Sequence, residues 1–282
     1  MGSLERNSTL SRLFSITIPL MSIFQHQLWG YQIQLPADWV HKRFSSRDGF
    51  ALDPEAFQPD YEGESLAQVL IHGEWNSLGK PVFDIWQSHL GKVSLMLGAK
   101  NLSSAPWEMA GARGHEVEII LPKRNPQRLW TGILENGMLV LSFMALHWKH
   151  SRGLMEPILS RIISSLHYLK GVKDLPLNEG GFPLPSAAAP ADPLVIVPDI
   201  PDRENWTAYE TENSTGALQA FYIRELPRLG WKITRYVPYP NTGGLPFARV
   251  LMEKSGKSYS LGIMPGSGQG SPGSIVLKTF PK

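Results

Sequence analysis

A proline-rich stretch from Gly171 to Asp202 constrains this chain most, because it contains 7 of the 23 prolines in the sequence. Proline fixes its own φ angle and has no amide proton to donate, so the stretch cannot form one continuous helix or strand. The segments on either side, about 170 and 80 residues long, are each large enough to bury a core. The sequence therefore predicts two domains, residues 1–170 and 203–282, joined by a proline-rich linker at 171–202.

The composition is that of a globular protein, with 42% hydrophobic and 18% charged residues. The absence of cysteine excludes disulfides, thiolate catalysis and metal sites built on thiolates. Residues 203–282 hold 10 basic against 5 acidic side chains, but the basic side chains are scattered and form no run. Scattered charge is typical of a solvated surface, so we predict no nucleic-acid partner.

The N-terminal residues bear on targeting, because the segment from Leu13 to Phe24 is apolar and follows Arg6 and Arg12. This segment is shorter than the roughly 20 residues that a membrane-spanning helix needs, and no small-residue cleavage site follows it. We therefore predict a cytoplasmic protein without a transmembrane segment. The alternative is export, with residues 1–28 as an atypical signal.

The first domain is predicted to be an antiparallel sheet covered by helices. Alternating apolar and polar residues indicate strands at 29–35, 65–75, 107–121, 128–135 and 138–148. The dipeptide Asn136-Gly137 predicts a tight hairpin turn with positive φ at both residues, which pairs the last two strands antiparallel. Prolines typical of a first helical turn predict helices that begin at Pro81 and at Glu156-Pro157.

This order of elements, together with three short motifs, resembles the PsbP-like fold family over residues 29–169. The motifs are Leu35-Pro36-Ala37-Asp38-Trp39, Gly111-Ala112-Arg113-Gly114 and Ile163-Ser164-Ser165-Leu166. The family is an α/β/α sandwich around an antiparallel sheet, and it includes a photosystem II protein, a Ran-GTPase release factor and bacterial proteins of unknown or chaperone-like role. The resemblance implies a non-enzymatic binding role. The metal and docking residues of the photosystem members have no match in this chain, so only the fold carries over.

The last 80 or so residues predict a small α+β domain of the order β-α-β-β-β. Its helix is expected to be capped by Ser214 or Thr215 and to end near Pro227 and Gly230, while Ser255-Gly256 marks a turn between strands. The spacing Phe221-Tyr222-x-x-Glu225-Leu226-x-x-x-Gly230-Trp231 resembles a module of uncharacterised bacterial proteins, and this resemblance implies no activity.

Two patterns invite a cofactor or metal interpretation. The glycine-rich segment from Gly266 to Gly273 is similar to a phosphate-binding loop, but such loops open a helix, and a strand is predicted to follow here. His147 and His150 have the spacing of a metal-binding pair only on a helix, whereas at a strand end they point to opposite faces. We therefore predict neither a cofactor nor a metal site.

Two further patterns invite a catalytic interpretation, namely His115-Glu116-x-Glu118 and His72-Gly-Glu74. Residues two apart on a strand share a face, so Glu116 and Glu118 could form a carboxylate pair with one raised pKa. The interpretation that we favour is the solvated face of an antiparallel sheet. Since no serine lies in a nucleophile elbow, the sequence assigns no catalytic residue and favours a non-enzymatic protein.

The sequence also contains nine tryptophans and nine methionines, enough to line an apolar groove for a peptide or a lipid-like ligand. All of the following methionines fall in the first domain: Met96, Met109, Met138, Met144 and Met155. The alternative, which we favour, is that these side chains belong to the core.

These observations predict a two-domain α+β accessory or binding protein, whose first domain binds an unknown protein or peptide partner through an apolar surface. The alternative is a hydrolase or lipid-modifying enzyme with its site between the sheet and a helix of the first domain. An enzyme needs titratable side chains that converge in one pocket, whereas a binding protein needs an exposed apolar surface.

Overall fold

A computed structural model describes residues 20–44, 47–58, 61–63, 66–94, 100–109, 111–121, 126–266 and 273–280. The first half of the chain contains two helices, α1 (Val82–Ser94) and α2 (Arg152–Ser164). Its strands are β1 (Met21–His26), β2 (Tyr31–Pro36), β3 (Val40–Phe44), β4 (Arg47–Ala51), β5 (Ala67–Trp75), β6 (Lys100–Met109), β7 (Ala112–Leu121), β8 (Gln127–Asn136), β9 (Leu139–Trp148) and β10 (His167–Tyr168).

Seven of these strands form one antiparallel sheet in the order β3-β4-β5-β9-β8-β7-β6, and β1, β2 and β10 form a smaller sheet. Strand residues alternate between two faces. On one face, Val117, Ile119 and Ile133 pack against Ile85 and Trp86 of α1. The other face packs against α2, whose Leu159 and Ile162 join the main core. The predicted α+β class, with helices on an antiparallel sheet, is confirmed.

The hairpin between β8 and β9 forms as predicted, but its turn differs by one residue. Asn136 pairs with Leu139, so the two loop residues are Gly137 and Met138. Gly137 has a positive φ of 62°, as predicted. Asn136 does not have a positive φ, so that part of the prediction is wrong. A glycine at the first loop position is typical of a type II′ turn, which suits the twist of the flanking strands.

Helix α2 begins earlier than predicted, since its first residue is Arg152 and Pro157 lies inside the helix. The pattern of a first-turn proline was therefore misleading at this point. Three strands of the large sheet, β3, β4 and β6, were not predicted. They lie at or next to the two edges of the large sheet.

The elements of the second half are, in chain order, β11 (Ala189–Ala191), α3 (Pro193–Ile196), β12 (Trp206–Glu210), α4 (Thr215–Arg228), β13 (Lys232–Val237), β14 (Ala248–Lys254), β15 (Lys257–Met264) and β16 (Ser274–Phe280). The six strands form one sheet in the order β11-β12-β16-β15-β14-β13. Four strands follow α4, one more than the predicted β-α-β-β-β order. The Ser214 hydroxyl accepts a bond from the Ala217 amide at 3.3 Å, as a cap should.

Helix α4 is buried nearly all round, because it contacts β5 of the first half as well as β13 and β15 of its own sheet. Leu218, Phe221 and Tyr222 are fully buried and belong to the same core as the first half. Gly216 makes this approach possible, since a Cβ atom there would lie 3.1 Å from the Trp29 ring. The two halves therefore share one hydrophobic core.

The segment 171–202, all of which the structure describes, has no regular elements beyond β11 and α3, as its prolines require. Its side chains nevertheless pack on the second half. Phe182 is fully buried and stacks on Tyr222, with ring centroids 5.1 Å apart. The Val172 amide donates to Glu225 Oε1 at 3.1 Å. The division of the chain into two domains at this segment stays a prediction.

Candidate functional site

A cleft of about 760 Å³ lies between β5 and the start of α1, and Pro240 of the second half contributes to its wall. Because strand side chains alternate, His72 and Glu74 share the face of β5 that borders α1. Because helix neighbours are four residues apart, Asp84 and Ser88 lie on one side of α1. All four side chains line the cleft.

The loop from β5 to α1 is fixed by Asn76, a residue that is 7% exposed. Its side-chain amide donates to the Lys80 carbonyl at 2.7 Å, and its Oδ1 accepts from the Lys80 amide at 2.9 Å. Its backbone amide donates to the Met138 carbonyl at 2.8 Å. The loop and the tip of the hairpin are therefore held together in one position.

Three large apolar side chains are exposed at this end of the sheet, and we call them the apolar rim. Leu78 is 46%, Phe83 is 50% and Met138 is 39% exposed. The Phe83 ring contacts the His115 imidazole, with centroids 5.2 Å apart and an edge-to-face angle of 70°. Of the three, Leu78 also lines the cleft. Exposed large apolar side chains are typical of protein interaction sites.

The sequence pattern identified His72 and Glu74, and the structure places both of them in the cleft. It adds Asp84, Ser88 and His89 from α1, which the sequence analysis missed. Their helical spacing after Pro81 was the available signal. Imidazole, carboxylate and hydroxyl groups in one cleft are the chemical types that hydrolysis uses.

The carboxylate pair Glu116 and Glu118 lies on the other face of the sheet, in a pocket of about 300 Å³ that also includes His147. Arg128 donates to Glu118, with Nε 2.6 Å from Oε1, and the Trp130 indole donates to Glu116 Oε2 at 2.9 Å. The two carboxylates therefore pair with different neighbours, and neither is bonded to the other.

His147 and His150 do not converge on one site. His147 is buried in the sheet, and burial lowers its pKa below the usual value for histidine. His150 lies in the turn after β9, where its ring stacks on Trp148. Among the described residues, no group of three or more histidines and carboxylates is arranged to hold a metal ion.

The methionines that the structure describes in the first half do not line one groove. Met155 is 5% exposed and Met109 packs against the same main core, whereas Met144 packs on the α1 side and Met138 belongs to the apolar rim. Met96 lies outside the described residues, as do 267–272 of the glycine-rich segment. Strand β16 begins at Ser274, directly after that segment.

A buried polar network, which the sequence analysis missed, joins the small sheet to the large one. Asp48 is 2% exposed and accepts bonds from the Tyr31 hydroxyl and from His41 Nε2, each at 2.8 Å. His26 Nε2 lies 3.3 Å from the same carboxylate, and its Nδ1 accepts from the Trp29 amide. Burial lowers the pKa of His26 to about 4, so this imidazole is neutral at pH 7.

No helix among the described residues combines the length and the apolar character needed to cross a bilayer. No protein-family model matches the chain, and no curated protein matches it. Similar solved structures include cyanobacterial PsbP from Synechocystis sp. PCC 6803, with 16% identity, 56% of this chain and 98% of that chain covered, and a TM-score of 0.41.

Two further similar structures are LpqN, involved in cell envelope biogenesis of Mycobacterium tuberculosis, and a protein from Bacteroides thetaiotaomicron. The first shares 11% identity over 53% of this chain and 91% of that chain, with a TM-score of 0.40. The second shares 10% identity over 89% of this chain and 87% of that chain, with a TM-score of 0.35. PsbP is thus among the similar structures, while the α+β class rests on the strand pairing of this chain itself.

Proposed function

We propose that this chain is a non-enzymatic binding protein that docks an apolar segment of a partner protein at the cleft and its apolar rim. The exposure of Leu78, Phe83 and Met138 at one end of the sheet carries this proposal. Each of these side chains leaves apolar area in water, and a partner that covered it would gain roughly 25 cal/mol for each Å² removed from water. The cleft that Leu78 lines offers space for an anchoring side chain.

The fixed position of the rim supports binding, because a surface that is already ordered loses less entropy when a partner docks. Asn76 supplies this order through its bonds to Lys80 and to the Met138 carbonyl. The edges of the large sheet are poor alternatives for docking. Edge strand β6 contains Pro106, and edge strand β3 exposes Lys42, two features that discourage the addition of a partner strand.

Capture of partners from cells of the source organism tests the proposal. The baits are the unaltered protein, the double variant Leu78→Ser/Phe83→Ser and the control Val195→Ser, whose side chain is 73% exposed elsewhere. We expect the same discrete partner with the unaltered bait and the control, and its loss with the double variant. Equal capture by all three baits would place the interaction on another surface.

A second candidate function is hydrolysis in the same cleft, because His72, Asp84 and Ser88 line it together. The test is a panel of ester substrates with the unaltered protein and with Ser88→Ala. Turnover that disappears in Ser88→Ala would favour the enzyme, whereas equal background rates would favour the binding protein.

The cellular location also stays a proposal. We infer a cytoplasmic protein, with export through residues 1–28 as the alternative. Fractionation of cells with an antibody against residues 203–282 separates the two, because the exported form would leave the cytoplasmic fraction.

A further inference from the structure

The pocket on the α2 side of the large sheet carries charge that the apolar rim does not. Strands β6 to β9 form the floor of this pocket and α2 forms one wall. The pocket has a volume of about 300 Å³. Three carboxylates and one guanidinium line it: Glu116, Glu118, Glu156 and Arg128. Arg128 is already bound to Glu118. Glu156 is paired with Arg152, which does not line the pocket, so among the described ion pairs only Glu116 lacks a cationic partner and the pocket keeps one excess negative charge.

The carboxylates of β7 keep unused acceptor atoms. Glu118 Oε1 accepts both described bonds from Arg128. Glu116 Oε2 accepts the bond from the Trp130 indole. Among the described contacts, Glu118 Oε2 and Glu116 Oε1 have no partner. Since the two residues are two apart on one strand, their side chains share a face, and both line the pocket.

His147 supplies a third unused acceptor, and it is independent of the carboxylates. The residue is 6% exposed, and its Nδ1 donates to the Trp148 carbonyl at 2.8 Å. Because burial lowers the pKa of His147, the ring is neutral at pH 7 and Nε2 carries a lone pair. No described group bonds to Nε2. Because His147 lines the pocket, Nε2 is open to a donor from a ligand bound there.

We propose that this pocket binds a guanidinium or ammonium group on an alkyl chain, as carried by an arginine or lysine side chain. Such a group brings several N–H donors and a positive charge to three acceptors that otherwise lack partners. The Trp130 ring and Leu159 supply apolar surface for the alkyl stem. The site lies on the opposite face of the sheet from the apolar rim and does not depend on the proposed docking there.

Calorimetric titration with blocked amino acids tests this proposal. The probes are Nα-acetyl-arginine methylamide and its citrulline counterpart, which has nearly the same shape and no charge. We expect saturable binding of the arginine compound and binding at least about tenfold weaker for the citrulline compound, because only the former supplies a charge-assisted bond. Equal binding of the two compounds, or no binding of the arginine compound, would overturn the proposal.

Two matched variants locate the site. Glu116→Gln keeps an oxygen that can accept from Trp130 but removes the charge, and it should weaken arginine binding about tenfold. Glu108→Gln is the control, because Glu108 is exposed on β6 and does not line the pocket. Circular dichroism checks that both variants fold. If the two variants weakened arginine binding equally, the binding would reflect general charge attraction, and the proposal that the pocket is the binding site would be contradicted.

A comparison with free arginine identifies the source of the cation. Tighter binding of the blocked compound supports a side chain within a polypeptide, and equal or tighter binding of free arginine supports a small-molecule ligand. Both results support a cation site.

Discussion

The indole nitrogen of Trp75 donates a hydrogen bond of 2.7 Å to the hydroxyl oxygen of Tyr236, which joins the end of β5 to β13 of the second half. The Tyr236 hydroxyl in turn donates to Gln219 Oε1 at 2.7 Å, and Gln219 is fully buried on α4. Arg224 of the same helix donates to the Leu28 carbonyl at 3.0 Å. These bonds orient the two halves, while the shared apolar core supplies most of the favourable burial.

Replacement of Trp75 by Phe should destabilise the protein by about 1–2 kcal/mol, because the donor to Tyr236 is lost and some packing goes with it. Denaturant unfolding measures the change. The matched control is Trp206→Phe, whose indole donates to the Pro201 carbonyl in an exposed part of the chain. We expect the control to cost less than about 0.5 kcal/mol.

A double-mutant cycle with Tyr236→Phe completes this test. If the bond between Trp75 and Tyr236 contributes to stability, the two substitutions should be coupled by about 1 kcal/mol. Additive effects of the two single changes would contradict the role assigned to this bond.

His26 should make stability depend on pH between about 6.5 and 4. Its pKa is about 4 in the folded protein and near 6.5 in the unfolded chain, so the unfolded chain binds more protons in this range. Stability is therefore complete above pH 6.5 and decreases as the pH falls. The total loss of unfolding free energy, reached below the folded-state pKa, amounts to about 3 kcal/mol.

The variant His26→Gln keeps a donor for Asp48 but cannot take up a proton. Between pH 7 and pH 4, the unfolding free energy should decrease more for the unaltered protein than for this variant. The neighbours Asp48, Arg43, His41 and Tyr31 are common to both proteins and cancel in the comparison. If the unfolding free energies of the two proteins decreased equally with pH, the role assigned to His26 would be contradicted.

The elements with a clear period were the ones that the sequence predicted. Strand β5 alternates and α4 repeats its apolar residues at helical spacing, so both were found. Strand β3 reads His-Lys-Arg at its centre and β6 contains Ser-Ser-Ala-Pro, because edge strands tolerate charge and proline. The start of α2 was missed because Pro157, which is typical of a first helical turn, lies inside this helix.

The candidate site was predictable only in part. The alternation of β5 placed His72 and Glu74 on one face. The apolar rim depends on contacts between distant segments, such as the bond from the Asn76 amide to the Met138 carbonyl. The pocket on the other face depends on the register of β7, β8 and β9, which one strand pattern does not reveal.

Replacement of Gly137 by Val should destabilise the protein by about 1–3 kcal/mol, because a β-branched residue rarely adopts a positive φ. No atom lies within 4 Å of the Cβ position, so the cost comes from the backbone conformation and not from a clash. Thermal unfolding measures it. Gly91→Ala in α1 is the opposite control, which should stabilise by about 0.5–1 kcal/mol. If the Gly137→Val protein were as stable as the unaltered one, the turn would not require a positive φ at position 137.

Limited proteolysis tests the division of the chain. We expect the first internal cut between Lys173 and Asp192, where Lys173 and Glu179 are exposed. The two fragments should remain together in gel filtration, because α4 contacts both sheets, and should separate in urea. First cuts within the flanking segments would contradict the predicted boundaries, and fragments that part without denaturant would contradict the shared core.

The most direct test of the binding role is site-specific photo-cross-linking in living cells. A photoreactive phenylalanine analogue replaces Phe83 in the apolar rim, and the same analogue replaces exposed Val195 as the control. The account predicts one discrete adduct of higher mass from position 83, absent from position 195 and lost when Leu78→Ser is added. No adduct from position 83, or the same adducts from both positions, would contradict the proposal that the apolar rim docks a partner protein.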